Sequence, residues 1–190
     1  MATSRTFNCV LSAIIGFILI LPASAQRNVL LSGETLGTTE RLTYGDVQFI
    51  MQGDCNLVLY NGRGGFQSNT ARRGNDCQLT LTNYGQLIIK RGGNGVTVWN
   101  SPNSSNKEGK YAAVLRPDGV VSVYGPQVWS TPAPALSTGE VKLAVGNTLF
   151  SGQYVFILQP NGQAAIYGPI IWTVGTPPSR GGLPLSMSTL

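Results

Sequence analysis

The chain has 190 residues, carries 13 Lys and Arg against 8 Asp and Glu for a formal charge of +5, and contains no histidine. With three cysteines and no histidine, it lacks the residues for a His-based zinc site or for Ser-His and Cys-His nucleophilic catalysis. The positive charge is mild and scattered, with Arg72-Arg73 and Lys90-Arg91 as its only basic doublets, which argues against a nucleic-acid stripe.

Residues 1–25 read as a secretory signal. Arg5 gives a positive start, Val10 to Leu21 is a nearly unbroken apolar run, and Ala23-Ser24-Ala25 is a small-residue cleavage site. A membrane anchor is the rival reading, but the run is short for a bilayer and the cleavage pattern follows it at once, so no membrane insertion is expected. The expected location is secreted, or vacuolar after entry into the secretory pathway. Cys9 leaves with the signal, and Cys55 and Cys77 remain as an even pair in an oxidising compartment. They predict a disulfide, against the alternative of two buried thiols; it would close a loop of about 23 residues, worth roughly 3 kcal/mol.

Short apolar-alternating runs punctuated by Gly and Pro predict an all-β fold. The most informative run is Gln52-Gly53-Asp54-Cys55-Asn56-Leu57-Val58-Leu59-Tyr60. Strict alternation sends Gln52, Asp54, Asn56, Val58 and Tyr60 to one strand face about 6.8 Å apart, with Cys55, Leu57 and Leu59 in the core. Amide, carboxylate and phenol groups in a row suit the hydroxyls of a sugar ring. The plainer reading is an edge strand with an ordinary solvated face.

The ladder recurs at Thr82, Tyr84, Gln86, Ile88 and Lys90, at Arg116, Asp118, Val120, Ser122 and Tyr124, and at Gln159, Asn161, Gln163, Ala165 and Tyr167. Each copy is followed by an aromatic, Phe66, Trp99, Trp129 and Trp172, which predicts a shared core around a pseudo-threefold axis, against the alternative of exposed tryptophans that stack on sugar. The first ladder alone is complete. The second changes every hydrogen-bonding role and the third keeps Asp118 and Tyr124 only. The fourth retains polarity at Gln159, Asn161, Gln163 and Tyr167 and is a candidate weak second site. Asn103-Ser104-Ser105 is a glycosylation sequon in a polar loop, equally compatible with an unmodified loop.

The Gln52 to Tyr60 motif resembles the carbohydrate-binding motif of the bulb-type, monocot mannose-binding lectins. Asn28 to Leu36 is similar to the opening of those domains, and Phe66-Gln67-Ser68-Asn69-Thr70 to the segment after their first motif. The resemblance covers about Asn28 to Thr131. It implies a β-prism of three four-stranded sheets and the same Cys55–Cys77 bridge. It also implies mannose recognition by Gln52, Asp54, Asn56 and Tyr60, with Val58 against the ring carbons. It further implies mannose-containing glycans as partners and dimers or tetramers with exchanged C-terminal strands. The motif offers direct hydrogen bonds and no dense oxygen cage, so no metal or other cofactor is expected.

Three repeats complete such a prism, so the fourth is surplus. The resulting organisation is a signal at 1–25, a lectin domain at 26–131, a Pro-rich linker at 132–139, a partial second lectin repeat at 140–176 and a tail expected to be disordered at 177–190. The partial repeat is too short to build its own core and must pack on something, cover an edge, exchange into another chain or be removed. The functional expectation is a non-enzymatic mannose-binding lectin. Its rival is a storage or defence protein of lectin fold with weak or lost sugar binding, and a glycosidase using Asp54 is a distant third.

Overall fold

The computed structural model describes residues 27–62, 65–93, 95–132 and 148–175. The expected signal at 1–25, most of the 132–139 linker and the tail at 177–190 lie outside the described residues. In chain order the strands are β1 (Val29–Leu31), β2 (Thr35–Leu36), β3 (Arg41–Tyr44), β4 (Val47–Met51), β5 (Leu57–Tyr60), β6 (Phe66–Gln67), β7 (Gln78–Leu81), β8 (Leu87–Lys90), β9 (Thr97–Asn100), β10 (Ala112–Leu115), β11 (Val121–Tyr124), β12 (Gln127–Ser130), β13 (Thr148–Ser151), β14 (Tyr154–Leu158), β15 (Ala164–Tyr167) and β16 (Ile170–Val174). Among the described residues there is no helix, as the period-two patterning predicts.

The strands form four antiparallel four-stranded sheets, ordered β3-β4-β5-β6, β2-β7-β8-β9, β1-β10-β11-β16 and β12-β15-β14-β13. We number them sheets 1 to 4. Each of the first three presents one cross-strand row inward: Leu42, Phe49, Leu59 and Phe66 in sheet 1, Leu36, Leu79, Ile89 and Trp99 in sheet 2, and Leu30, Ala113, Val123 and Trp172 in sheet 3. These rows meet in one core. At its centre the rings of Phe66, Trp99 and Trp172 touch pairwise, with centroids 5.9 to 6.4 Å apart. This is the expected β-prism, with the aromatics converging around a pseudo-threefold axis.

One expectation is corrected. The third ring of the trio is Trp172, whereas Trp129, which follows the third ladder in sequence, lies outside the core and is 49% exposed. The chain reaches this arrangement by trading strands. After Tyr124-Gly125-Pro126 it leaves sheet 3 and delivers β12 to sheet 4, and after Tyr167-Gly168-Pro169 it leaves sheet 4 and delivers β16 to sheet 3. The two corners cross with reciprocal hydrogen bonds, from Gly125 N–H to the Pro169 carbonyl (3.2 Å) and from Gly168 N–H to the Pro126 carbonyl (3.4 Å). Both corners need glycine: at φ of 152° and 153° a Cβ would run into the rings of Tyr111 and Tyr154.

Sheet 4 therefore docks on the prism. One face of it, with Val155, Ile157, Ala165, Tyr167 and the half-buried Phe150, packs against Val29, Ala112, Val114 and Tyr124 of sheet 3 in a second core. Of the fates open to a repeat too short to fold alone, the chain adopts packing on its own prism with an intramolecular exchange. Asn103, the residue of the sequon, is exposed in the loop after β9, where its Nδ2 donates to the Ile171 carbonyl of the exchanged strand at 3.4 Å.

Candidate carbohydrate site

The first ladder is a hairpin and not the single straight strand that strict alternation predicts. β4 ends at Met51, residues 52–56 turn, and β5 begins at Leu57. The turn is closed by Gln52 N–H to the Asn56 carbonyl (2.9 Å) and Cys55 N–H to the Gln52 carbonyl (3.1 Å). The other three ladders make the same pair of bonds. Each places a glycine, Gly85, Gly119 or Gly162, at the left-handed position, with φ between 67° and 79°. In the first ladder that position is Cys55, at φ 71°. A left-handed non-glycine costs roughly 1–2 kcal/mol. The disulfide from Cys55 to Cys77 ties this turn to the start of β7 in sheet 2.

Gln52 donates through Nε2 to the Tyr60 hydroxyl at 2.8 Å, fixing the two ends of the ladder against each other across the hairpin. Asp54 Oδ1 accepts the Asn56 amide at 2.9 Å. The following segment clamps the turn from below. Asn56 Oδ1 accepts from Ser68 Oγ and from the Thr70 amide, both at 3.2 Å, Thr70 Oγ1 donates to the Cys55 carbonyl at 2.6 Å, and Arg72 N–H donates to the Asp54 carbonyl at 2.7 Å. Ser68 and Thr70 are buried supports that alternation misses; the signal is their spacing as a hydroxyl pair just after the aromatic Phe66. The outcome is a shallow, polar, preorganised surface: Asp54 and Tyr60 are exposed, Gln52 is half-buried, and Val58 and Asn56 form its floor. It adjoins an open cavity of about 330 Å³ lined by Val58, Tyr60, Asn61 and Gln67.

The remaining ladders keep the turn and lose the surface. In the second, Thr82 Oγ1 accepts from the amides of Tyr84 and Gln86, and Gln86 Nε2 donates to the Ser101 carbonyl. In the third, Arg116 pairs with Asp118 at 2.9 Å and lies over the Phe150 ring of sheet 4 at 5.8 Å, and Tyr124 is fully buried against Phe150. Burial holds the Tyr124 phenol above its ordinary range, with the Arg116 guanidinium opposing it.

The fourth set is divided. Gln159 and Tyr167 are buried, with Gln159 Nε2 donating to the Tyr167 hydroxyl at 2.6 Å, as Gln52 does to Tyr60. Gln163 turns its amide inward to the Thr131 carbonyl at 3.1 Å, and Asn161 Nδ2 donates to Gln163 Oε1 at 2.8 Å. Burial, and secondarily the Glu34 carboxylate, push the Tyr167 phenol up to about 12. Gln159 and Tyr167 edge a seam cavity of about 470 Å³ shared with Ser32, Glu34, Glu108 and Lys110 of the prism. Among the described residues no group of three or more His, Cys, Asp and Glu is placed to hold a metal ion.

A three-sheet β-prism with a hydrogen-bonding hairpin on a sheet's outer face defines the class as a β-prism lectin fold. Mannose-specific lectin 2 of Crocus vernus is 52% identical over 126 residues, which is 65% of this chain and 48% of that protein. The solved mannose-specific lectin of Crocus vernus is 55% identical with a TM-score of 0.54, covering 56% of this chain and 98% of that one. The Colocasia esculenta agglutinin solved with mannose bound is 52% identical with a TM-score of 0.53, covering 58% and 97%. The chain belongs to the bulb-type, monocot mannose-specific lectin family. No protein-family model matches it. The chain spans about half the length of the curated relatives it matches.

Proposed function

We propose that the chain binds mannose and mannose-rich glycans at Gln52, Asp54, Asn56, Val58 and Tyr60, without catalysis, as a protein of the secretory route that is secreted or held in the vacuole. The observation that carries this reading is the first hairpin, where Gln52 bonds Tyr60, the Asn56 backbone amide holds the Asp54 carboxylate, and Ser68 and Thr70 hold the Asn56 side chain, so all four polar groups are in place before any ligand arrives. Preorganisation removes the ordering cost of binding, so a small polar surface can hold a sugar. Asp54 accepts from one hydroxyl, Tyr60 has its own O–H to donate, and the buried Val58 gives the ring carbons an apolar floor. The site is shallow, so one sugar binds weakly, and clustered glycans engaged by several copies supply avidity.

The rival, a storage or defence protein of lectin fold with little sugar binding, is favoured by the three other ladders, where Thr82, Gln86, Gln159 and Tyr167 are satisfied internally and Arg116 lies under sheet 4. Titration calorimetry with methyl mannoside separates the two. One site per chain, unaffected by a chelator, is expected. Absence of heat at millimolar sugar would sink the mannose reading and leave the rival.

A further inference from the structure

Sheet 4 carries a fourth copy of the inward row. Its cross-strand register aligns Leu149, Phe156, Ile166 and Trp129, the counterparts of Leu42, Phe49, Leu59 and Phe66. The edge strand bears the aromatic after a register shift, as the edge strands of sheets 2 and 3 also do. In the first three sheets this row is the centre of the core; in sheet 4 it lies on the face turned away from the prism. Leu149 is 56% exposed and Trp129 49%, with Phe156 and Ile166 half-buried between them. The four strands of sheet 4 contain no Asp, Glu, Lys or Arg. An apolar face of this extent, free of charge, marks a contact surface.

The prism itself defines what fits such a face. Phe66, Trp99 and Trp172 each touch the other two, which only a threefold arrangement allows, and their sheets differ from sheet 4 neither in strand number nor in the register of the row. We infer that three copies of this chain assemble around a true threefold axis, each contributing sheet 4, so that three Leu149-Phe156-Ile166-Trp129 rows close a composite prism at the centre. A row that needs two sister rows at about 120° finds them within the chain three times, and the fourth finds them in two further copies. A twofold pairing would leave a wedge open where the third row belongs. Cyclic closure uses up the face and stops growth at three. The docked prisms point outward, so the three Gln52–Tyr60 hairpins stay accessible. Net positive chains repel one another, so an uncharged face is the one through which copies approach, and added salt should favour the assembly.

The test is sedimentation velocity and native mass spectrometry of the full chain over a concentration series, with Trp129→Asp and Leu149→Asp made separately. Expected are a wild-type mass of three protomers that persists in high salt, and a threefold drop to a single protomer in both variants, with per-chain mannose binding unchanged. A wild type that stays monomeric, one that stops at two protomers, or a trimer that survives both substitutions would each overturn the proposal. Iodide quenching of the wild type gives a reading that needs no variant: one tryptophan of three should pass from accessible to protected as the concentration rises.

Discussion

The Thr70 amide donates to Asn56 Oδ1 at 3.2 Å, which makes Asn56 a member of the fold as well as of the ladder. Its oxygen also accepts from Ser68, and its side chain is buried. Asn56→Leu should therefore abolish mannose binding and also destabilise the protein by about 1–3 kcal/mol, because a buried amide and hydroxyl lose their acceptor. Tyr60, 53% exposed, is the cleaner probe. Tyr60→Phe also frees Gln52 Nε2 from the Tyr60 hydroxyl, but that bond is exposed and its donor turns to water, so the melting temperature should shift little while mannose affinity weakens by up to roughly tenfold, the worth of one neutral hydrogen bond. Calorimetry beside thermal melts reads both effects; unaltered affinity in Tyr60→Phe would remove that residue from the site.

Cys55 is both a bridge partner and a left-handed residue. Cys77→Ala should cost roughly 2–5 kcal/mol and loosen the turn that presents Asp54 and Asn56. With the bridge gone, glycine suits position 55 better than any side chain. The pair Cys55→Gly with Cys77→Ala should therefore be more stable than Cys55→Ala with Cys77→Ala by about 1 kcal/mol. Denaturant midpoints of the two double variants decide it, and equal values would show that the turn carries no such strain.

Trp172 and Trp129 stand at the same distance after their Tyr-Gly-Pro corners. Trp172→Ala should cost about 3–5 kcal/mol, since it empties the centre of the prism. A chain ending at Pro134 loses β16 altogether, yet β12 can then return to β11 and place Trp129 in the vacated position. Such a truncated chain is expected to melt cooperatively and to bind mannose through the first hairpin. Loss of its cooperative transition would mean that β12 cannot substitute for β16.

Tyr167 links alkaline stability to the docking of sheet 4. Its phenol titrates at 10.0 in an unfolded chain and at about 12 in the folded one, through burial and then the Glu34 carboxylate. Between those values the folded state binds the proton and the unfolded state does not, so stability falls as pH rises from 10 towards 12 and is unaffected by this group below 10. Melting temperatures across that window should drop more steeply for the wild type than for Tyr167→Phe, which cannot ionise. Parallel slopes would assign the alkaline loss to other groups.

Much of this molecule is legible in its sequence, for identifiable reasons. Repeated Tyr-containing ladders and trailing aromatics revealed the prism because sheet periodicity and core demand share the same residues, as at Leu57, Leu59 and Phe66. The hairpin at 52–56 stayed hidden because its turn residues continue the strand's alternation of polar and apolar positions, as they do in the sister repeats. Strand trading stayed hidden too, since Trp129 and Trp172 sit in near-identical local sequences and local preference cannot say which of them enters which sheet. The burial of Gln159 and Tyr167 follows from that trade alone: a polar ladder face reads as solvated until another sheet is laid on it.

The reciprocal corners at Gly125-Pro126 and Gly168-Pro169 have a consequence for processing. The sequence divides into two pieces near the Pro-rich stretch, but each piece holds a strand of the other's sheet. A protease cutting between residues 133 and 147 would thus release nothing. It would convert one polypeptide into two interlocked ones that migrate separately only after denaturation, with the Gln52–Tyr60 hairpin on the longer fragment and the ring that completes its core on the shorter.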